Sequence, residues 1–101
     1  MHASIAVAKG AIEGLSRTLA AELAPHTRVN CVAPALTDTP LTSNFFATDE
    51  KRAAMDAKYP LKRAGTPDDL ASMAAFLLSP ASSWITGQIL GVDGGMSTLG
   101  G

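Results

Sequence analysis

Lys9 is the side chain whose type most readily suggests chemistry in this sequence. A lysine amine that loses its hydration can act as a base or form a Schiff base, although a solvated lysine explains its presence with fewer assumptions. None of the serines lies in G-x-S-x-G, the turn that exposes a nucleophilic serine in hydrolases. His2, His26 and Cys31 lack the spacing of metal ligands, so we expect no metal site. The residue types therefore disfavour a hydrolase and a metalloenzyme.

Composition narrows the classes further. The chain has 8 Lys+Arg against 9 Asp+Glu, and a net charge of -1 provides no field that would attract nucleic acid or an anionic membrane. Apolar residues make up 47% of the chain and charged residues 17%, which favours a folded core over disorder. No apolar run approaches the roughly 20 residues of a membrane span, and the start has no basic region typical of a signal peptide. The lone Cys31 cannot form an internal disulfide, so we expect a cytoplasmic location.

A long helix is predicted between Ile5 and Ala24, ended by Pro25. Its apolar side chains recur at separations of three, four or seven residues, which is the signature of one helical face: Ile5, Ile12, Leu15, Leu19 and Leu23. We expect Glu13 and Arg17, four residues apart, to pair on the solvent side.

Small residues form a second stripe on the same helix: Gly10, Gly14, Thr18 and Ala21. A glycine inside a helix costs about 1 kcal/mol relative to alanine, so two of them predict close approach of another helix or a sheet. The alternative is neutral variation on an exposed face.

Two strands are predicted, Arg28–Ala33 and Gln88–Val92, each a short apolar run. Between them lie an insert with a helix from Asp49 to about Lys58, capped by Thr48, and a second helix that starts at Thr66-Pro67. The apolar face of that second helix is predicted to comprise Leu70, Met73, Ala74, Leu77 and Leu78. The order helix, strand, insert, helix, strand predicts a single α/β domain over residues 1–101.

The insert carries Phe45, Phe46, Met55 and Tyr59. An insert that follows the carboxyl end of a strand is where α/β folds build ligand sites. The alternative is that these side chains attach the insert to the core. Both interpretations stay open from the residues alone.

Several motifs occur in a characteristic order: residues 9–17, 21–25, 28–34 and 38–40, then Arg63-Ala64-Gly65-Thr66-Pro67, Ile85-Thr86-Gly87-Gln88 and Val92-Asp93-Gly94-Gly95. Together they resemble the C-terminal portion of short-chain dehydrogenases/reductases. The resemblance implies a partial Rossmann-like fold, made of the last helix-strand-helix-strand units of a doubly wound parallel sheet. It also implies an oxidoreductase that transfers hydride between NAD(H) or NADP(H) and a carbonyl or alcohol.

The resemblance assigns roles by position. Lys9 matches the family's lysine, which holds the cofactor ribose and lowers the pKa of a tyrosine four residues earlier. Ile5 occupies that tyrosine position and has no proton to give. Pro34, the main-chain amide of Thr37 and the hydroxyl of Thr39 match cofactor contacts. Ala35 replaces the family's glycine, which narrows the allowed backbone, and Asn30 is expected to bond neighbouring backbone rather than ligand.

The family's glycine-rich phosphate loop has no counterpart in this sequence. Gly91–Gly95 follows a strand, but we expect a turn there that leads to no helix. The catalytic serine of the family also has no counterpart, so we interpret the chain as a truncated C-terminal segment that lacks the nucleotide-binding half. NAD or NADP is the cofactor that the resemblance implies, and the alternative is that this chain binds no cofactor. The chain alone is expected not to be catalytically competent.

Self-association is the expectation that follows from so few strands. A two-stranded sheet is marginal alone and leaves unpaired edges. We expect a homo-oligomer, formed by pairing of the last strands or by packing of the Gly10/Gly14 face. The alternative to an oxidoreductase is therefore a self-associating structural or binding module without turnover.

Overall fold

The computed structural model describes residues 2–100, except for the side chains of His2 and Ile5. Its elements in chain order are α1 (His2–Leu23), β1 (Cys31–Pro34), a 3₁₀ helix (Pro40–Phe46), α2 (Asp49–Ala57), α3 (Pro67–Leu78), a second 3₁₀ helix (Pro80–Ser82), β2 (Ile89–Val92) and α4 (Met96–Leu99). β1 and β2 pair as a small parallel sheet, which confirms the predicted α/β class and its partial Rossmann-like order.

The chain divides into two compact units. The first unit comprises the residues up to Cys31 together with Phe76–Leu90, and the second comprises Val32–Ala75 together with the residues from Gly91 onward.

In the first unit, α1 is longer than predicted at its start and ends near the expected Pro25. Ala20 is buried at 5% exposure and faces Gly87, where an added Cβ would lie 3.6 Å from the Ala20 Cβ. Ile12 and Leu15, on the predicted apolar face, are 56% and 58% exposed, so the described chain leaves this part of the face uncovered. No helix in the described residues is long and apolar enough to cross a membrane.

Two further predictions for α1 concern its small residues and its ion pair. Nothing lies within 4 Å of a Cβ added at Gly10 or Gly14, so no element of the described chain makes the close approach that we expected there. The ion pairs in the described residues are Arg52–Asp38 and Arg63–Asp69, so the expected Glu13–Arg17 pair is not formed. The amphipathic spacing predicts the helix correctly, but the burial of its apolar side chains depends on which elements surround the helix.

Arg28 joins the approach to β1 to the end of α3. Its guanidinium donates to the carbonyl oxygens of Leu77 at 2.8 Å, Ile85 at 3.1 Å and Ser79 at 3.5 Å. The hydroxyl of Ser82, which is 1% exposed, donates to the Leu77 and Ser79 carbonyls as well. Carbonyls at a helix end have no partner inside the helix, so these two side chains satisfy them.

β1 begins at Cys31, three residues later than predicted. The amide of Val29 donates instead to the Thr86 hydroxyl at 3.0 Å, and its carbonyl accepts from Gly87 N at 2.8 Å. The Asn30 side chain donates to Ile85 O and accepts from Gln88 N, both at 3.1 Å. Asn30 therefore bonds backbone, as the sequence indicated, and holds the segment that leads into β2.

The core of the second unit is a cluster of Phe46, Tyr59 and Ala64, with partly buried apolar residues packed against it: Ala35, Leu36, Met55 and Met96. Three of the four side chains singled out in the insert, all except Phe45, thus belong to this core, whereas Phe45 is 51% exposed. α2 matches its predicted bounds closely, and the Thr48 side chain accepts from Lys51 N at 3.1 Å as the predicted cap.

α3 begins as predicted. The amide and hydroxyl of Thr66 donate to the Asp69 carboxylate at 2.8 and 3.0 Å, and Asp69 N donates to the Thr66 hydroxyl at 3.4 Å. Arg63 donates two hydrogen bonds to the same carboxylate, at 2.7 and 2.9 Å. This carboxylate therefore closes the helix start and ties it to the preceding loop.

Two predictions near the C-terminal end are wrong. Leu77 is buried, but Leu78 is 86% exposed and Ala74 is also exposed, so α3 has a narrower apolar face than predicted. The Gly91–Gly95 segment was expected to lead to no helix, yet α4 follows it directly. α4 is a single turn, and at its start Met96 N donates to Asp93 O at 3.1 Å. A segment of this length is too short for a helical pattern to be recognised in the sequence.

The Asp69 carboxylate makes stability depend on pH. The Arg63 guanidinium, and after it the amide and hydroxyl of Thr66, hold the pKa of Asp69 well below its usual range. Because the folded-state pKa is depressed, this stabilisation is complete above the unfolded-state pKa of about 3.9 and is lost as pH falls through the folded-state pKa. We expect Asp69→Asn to lower the free energy of unfolding at pH 7, and we expect the difference from the parent chain to shrink below about pH 4.

Urea denaturation at several pH values measures this difference. Asp68→Asn is the control, because it removes a charge from the same helical turn and none of the hydrogen bonds to Asp69. A gap between the Asp69→Asn variant and the parent chain that stays constant with pH contradicts the assignment.

Candidate functional site

A cavity of about 320 Å³ opens in the second unit where the chain leaves the two strands. Ala35 and Leu36 follow β1, and Asp93, Gly94 and Gly95 follow β2. The other lining residues come from β2 and from the segment before and at the start of α3: Tyr59, Leu61, Arg63, Gly65, Asp69, Gly91 and Val92. The carboxyl ends of parallel strands are where open α/β folds bind ligands, so this is the candidate site.

The turn after β1 is fixed by a parallel bridge between Thr37 and Gly65. The bridge uses the residues on either side of Thr37: Gly65 N donates to Leu36 O at 3.3 Å, and Asp38 N donates to Gly65 O at 2.9 Å. The amide and carbonyl of Thr37 therefore point away from Gly65, and the carbonyl accepts from the Thr42 hydroxyl at 2.5 Å. Thr37 itself is 8% exposed, and its hydroxyl donates to Ala35 O at 3.1 Å.

Thr39 is the N-cap residue of the first 3₁₀ helix. Its amide donates to the Thr42 hydroxyl at 3.0 Å, and the two hydroxyls lie 3.2 Å apart. The carboxylate of Asp38, the residue before Thr39, accepts a hydrogen bond from Arg52 of α2 at 2.8 Å. The turn is thus tied both to the 3₁₀ helix and to α2.

Ala35 stands where the resembled family has glycine. Among the described non-glycine residues only Lys62 has a positive φ, of 60°. Ala35 therefore adopts a backbone conformation that suits an ordinary residue, and the substitution introduces no strain.

The turn after β2 is organised by the carboxylate of Asp93. It accepts from the Ser97 hydroxyl, from Gly95 N at 3.0 Å and from Ser97 N at 3.3 Å. The Ser97 hydroxyl first, and then the Gly95 and Ser97 amides, lower the pKa of Asp93. Asp93 is therefore held as a carboxylate in the lining of the cavity.

The sequence-predicted site residues lie in different parts of the chain. Pro34, Thr37 and Thr39 are brought together in the turn of the second unit. Lys9 lies on α1 in the first unit and is exposed, and the side chain of Ile5 lies outside the described residues. Within the described part of the chain, no three His, Cys, Asp or Glu side chains are grouped as a metal site would require.

The residues around the cavity were not identified as a site from the sequence. Arg63 and Asp93 entered only as members of the motifs at 63–67 and 92–95, and Asp69 lies in the first turn of the predicted second helix. The signal that could have found them is topological: two predicted parallel strands must end at one edge, so the residues after both strands should line one cavity.

Gly95 gives a test of the site's geometry. Its φ is 89°, and a Cβ added there would lie 3.1 Å from Pro60 Cβ and 3.3 Å from Leu99 Cδ1. We expect Gly95→Ala to destabilise the chain by about 1–3 kcal/mol, because both the backbone conformation and the contact are unfavourable. Chemical denaturation followed by circular dichroism measures the change.

Gly65→Ala is the matched control. A Cβ at Gly65 would meet Thr37 Oγ1 at 3.4 Å, and φ is not left-handed there. We expect a change within about 1 kcal/mol. Equal losses for the two variants would contradict the described turn.

Comparison with known proteins identifies the family. Residues 1–97 match the model of a family described as enoyl-(acyl carrier protein) reductase. The chain is 49% identical over 90 residues to short-chain dehydrogenase/reductase SDRA of Arabidopsis thaliana. The aligned region covers 89% of this chain and 35% of the relative. The chain therefore spans about a third of the length of the relatives that it matches.

Solved structures agree with this match. A C-terminal deletion mutant of Thermoplasma acidophilum aldohexose dehydrogenase superposes with a TM-score of 0.87 at 35% identity, covering 96% of this chain and 46% of that structure. A protein assigned as an NAD(P)-dependent gluconate 5-dehydrogenase from Beutenbergia cavernae, with bound NADP, superposes with a TM-score of 0.77 at 43% identity, covering 89% of this chain and 36% of that structure. This chain belongs to the short-chain dehydrogenase/reductase family.

Proposed function

We propose that the chain is the C-terminal segment of an NAD(P)-dependent short-chain oxidoreductase and supplies part of the nicotinamide side of its cofactor site. The observation that carries the proposal is the family match over residues 1–97, which includes Lys9 and the turn from Pro34 to Thr39. The relatives are oxidoreductases, and one related structure contains NADP. NAD or NADP is therefore the cofactor class for the whole protein.

The geometry of the turn supports a cofactor contact. Because the bridge to Gly65 uses the neighbouring residues, the Thr37 amide faces away from it and suits donation to a carboxamide oxygen. Pro34 is exposed beside this turn. The Thr39 hydroxyl lies 3.2 Å from that of Thr42 and keeps capacity for a further hydrogen bond. These groups fit a nicotinamide cofactor.

Lys9 is proposed to hold the ribose. Its ammonium carries three donors and no acceptor, which suits neighbouring hydroxyl oxygens. The residue is exposed on α1 and therefore available to a ligand. In the family the same charge stabilises a tyrosinate, but Ile5 stands at the tyrosine position in this sequence.

The chain alone is proposed to lack turnover. The bound cofactor would supply hydride chemistry, but an isoleucine can neither donate nor accept the proton that a carbonyl oxygen must gain. The sequence also contains no glycine-rich phosphate loop. We propose a cytoplasmic location as well, supported by the single cysteine, which cannot form an internal disulfide.

A fusion tests the proposal. The part of the Arabidopsis relative that precedes the matched region is joined ahead of this chain, and nicotinamide fluorescence measures binding of NADH and NADPH. We expect saturable binding, with weak turnover on a panel of ketones and secondary alcohols. Introducing Ile5→Tyr should raise turnover by at least about 100-fold, the usual contribution of a positioned proton donor.

Lys9→Met in the Ile5→Tyr fusion is the matched control, and it should lose most of the gain and weaken cofactor binding. Arg17→Met, at an exposed position of the same helix, should do neither. Robust turnover with Ile5 in place would show that another residue carries the proton, and absence of cofactor binding would contradict the assignment of the turn.

The second candidate function is a self-associating structural or binding module. The observation that favours it is the exposure of large apolar side chains in the first unit: Ile12 at 56%, Leu15 at 58% and Trp84 at 99%. Exposed apolar surface of this kind tends to be covered by association. The Gly10/Gly14 face is open to a close neighbour, and a strand at the edge of a two-stranded sheet can pair with a second copy.

Sedimentation velocity at micromolar concentration tests self-association. We expect the chain to form a homo-oligomer, and we expect Gly14→Leu to shift it toward monomer if the Gly10/Gly14 face packs closely. Ala11→Leu, on an exposed part of the same helix, is the control and should leave the distribution unchanged. An oligomer unaffected by Gly14→Leu would assign association to the last strands, and a monodisperse unsubstituted monomer would contradict both routes.

A further inference from the structure

We propose that Arg63 and Asp69 are positioning residues for the nicotinamide cofactor. Their ion pair holds the main chain at Gly65, and Gly65 in turn sets the direction in which the Thr37 amide points. The inference rests on the proposed function, in which the Thr37 amide donates to the carboxamide oxygen. Neither charged side chain touches the cofactor, because both act through the main chain of the second unit.

The Asp69 carboxylate holds the two residues that flank Ala64 and Gly65. Its Oδ2 accepts from Arg63 Nη1 at 2.7 Å and from the Thr66 amide and hydroxyl at 2.8 and 3.0 Å. Its Oδ1 accepts from Arg63 Nη2 at 2.9 Å. A two-point pair between a guanidinium and a carboxylate fixes orientation as well as distance. The segment from Arg63 to Thr66 is therefore fixed to the first turn of α3, which carries Asp69.

Gly65 passes this constraint to the turn after β1. Its amide donates to Leu36 O at 3.3 Å, and its carbonyl accepts from Asp38 N at 2.9 Å. The carbonyl of Leu36 and the amide of Thr37 belong to one planar trans peptide group, so they point in opposite directions. The hydrogen bond from Gly65 to Leu36 O therefore determines where the Thr37 amide points.

The Thr37 amide is the donor that this arrangement leaves available. Within the described residues it makes no hydrogen bond, whereas the Thr37 carbonyl accepts from the Thr42 hydroxyl at 2.5 Å. Thr37 is 8% exposed, and a main-chain donor removed from water gains most from an acceptor placed in line with it. Hydrogen bonds weaken steeply when donor and acceptor are misaligned. A small rotation of this peptide group would therefore weaken binding of a carboxamide.

Other contacts hold the segment when the ion pair is removed. The Ala64 amide donates to Asp56 Oδ1 of α2 at 2.8 Å, and Ala64 belongs to the buried core cluster. Neither contact involves Asp69. Loss of the Asp69 carboxylate should therefore shift Gly65 and leave the surrounding core in place.

Calorimetric titration of two ligands into the fusion with the N-terminal part of the Arabidopsis relative tests the proposal. One ligand is NADH, and the other is ADP-ribose, which keeps both phosphates and both riboses but has no nicotinamide. We expect Asp69→Asn to weaken NADH binding by about three- to tenfold, the contribution of one hydrogen bond, and to leave ADP-ribose binding unchanged. A general loss of folded protein would weaken both ligands equally.

Two further variants separate the ion pair from charge alone. Arg63→Lys keeps the charge and loses the two-point contact, so it should weaken NADH binding in the same selective way but by a smaller factor. Asp68→Asn is the matched control, because it removes a charge from the same turn of α3. Among the described residues Asp68 makes no hydrogen bond or ion pair, so this variant should change neither affinity.

The 101-residue chain provides a readout without any cofactor. Amide hydrogen exchange, followed by NMR, reports on the two hydrogen bonds between Gly65 and the turn after β1. In Asp69→Asn the Gly65 and Asp38 amides should exchange faster than in Asp68→Asn. The Arg52 amide in α2 is the internal reference and should exchange at the same rate in both variants.

Unchanged NADH binding in Asp69→Asn, or equal weakening of NADH and ADP-ribose binding, would overturn the proposal. Unchanged exchange of the Gly65 and Asp38 amides would overturn it as well. Failure of the unsubstituted fusion to bind NADH is a different result, because it contradicts the proposed function and this inference falls with it. Selective loss of NADH binding together with faster exchange supports both.

Discussion

The pairing of β2 with β1 depends on polar side chains that come just before β1. Arg28 and Asn30 donate to main-chain carbonyls between Leu77 and Ile85, and Asn30 also accepts from Gln88 N at 3.1 Å. These bonds bring the end of α3 and the loop after it to the first strand before the sheet begins. Cys31 N then donates to Gln88 O at 2.8 Å and continues the register. A lysine could not replace Arg28, because its single ammonium lacks the planar fork that reaches several carbonyls.

Much of the secondary structure could be predicted from local signals. Thr48 and Thr66 cap helices where their types and the following acids indicated, and Pro25 follows the end of α1. β2 lies within one residue of its predicted bounds, but the start of β1 could not be predicted, because Val29 and Asn30 bond the 86–88 segment through a mixture of side chain and backbone. Strand length therefore depended on partners nearly 60 residues away in sequence.

Burial was harder to predict than the elements themselves. The stripe on α1 has correct helical spacing, yet Ile12 and Leu15 are exposed because no element of the described chain covers them. The chain spans about a third of the length of its relatives, so the spacing reflects a core larger than these residues can form. In the second unit the reverse holds, since Tyr59 and Phe46 find partners within the chain.

For the candidate site, the turn from Pro34 to Thr39 could be placed by family resemblance, but its bonds could not. The bridge joins Thr37, in the turn after β1, to Gly65 of the motif at 63–67, and only this pairing shows which amide is left to face away from the bridge. The presence of Arg63 and Asp93 in the lining of one cavity could not be predicted for the same reason. A motif gives residue types, whereas the geometry of a site depends on which motifs meet.

Trp84 is 99% exposed and is the single tryptophan of the chain. Indole emission is sensitive to the water around the ring, so the spectrum of the unlabelled protein reports on one defined surface spot. A blue shift of the Trp84 emission when a partner is added, or when the chain is concentrated, would show that the segment between α3 and β2 becomes covered. The chain thus carries an intrinsic optical probe at a position where a covalent label would disturb the surface it reports on.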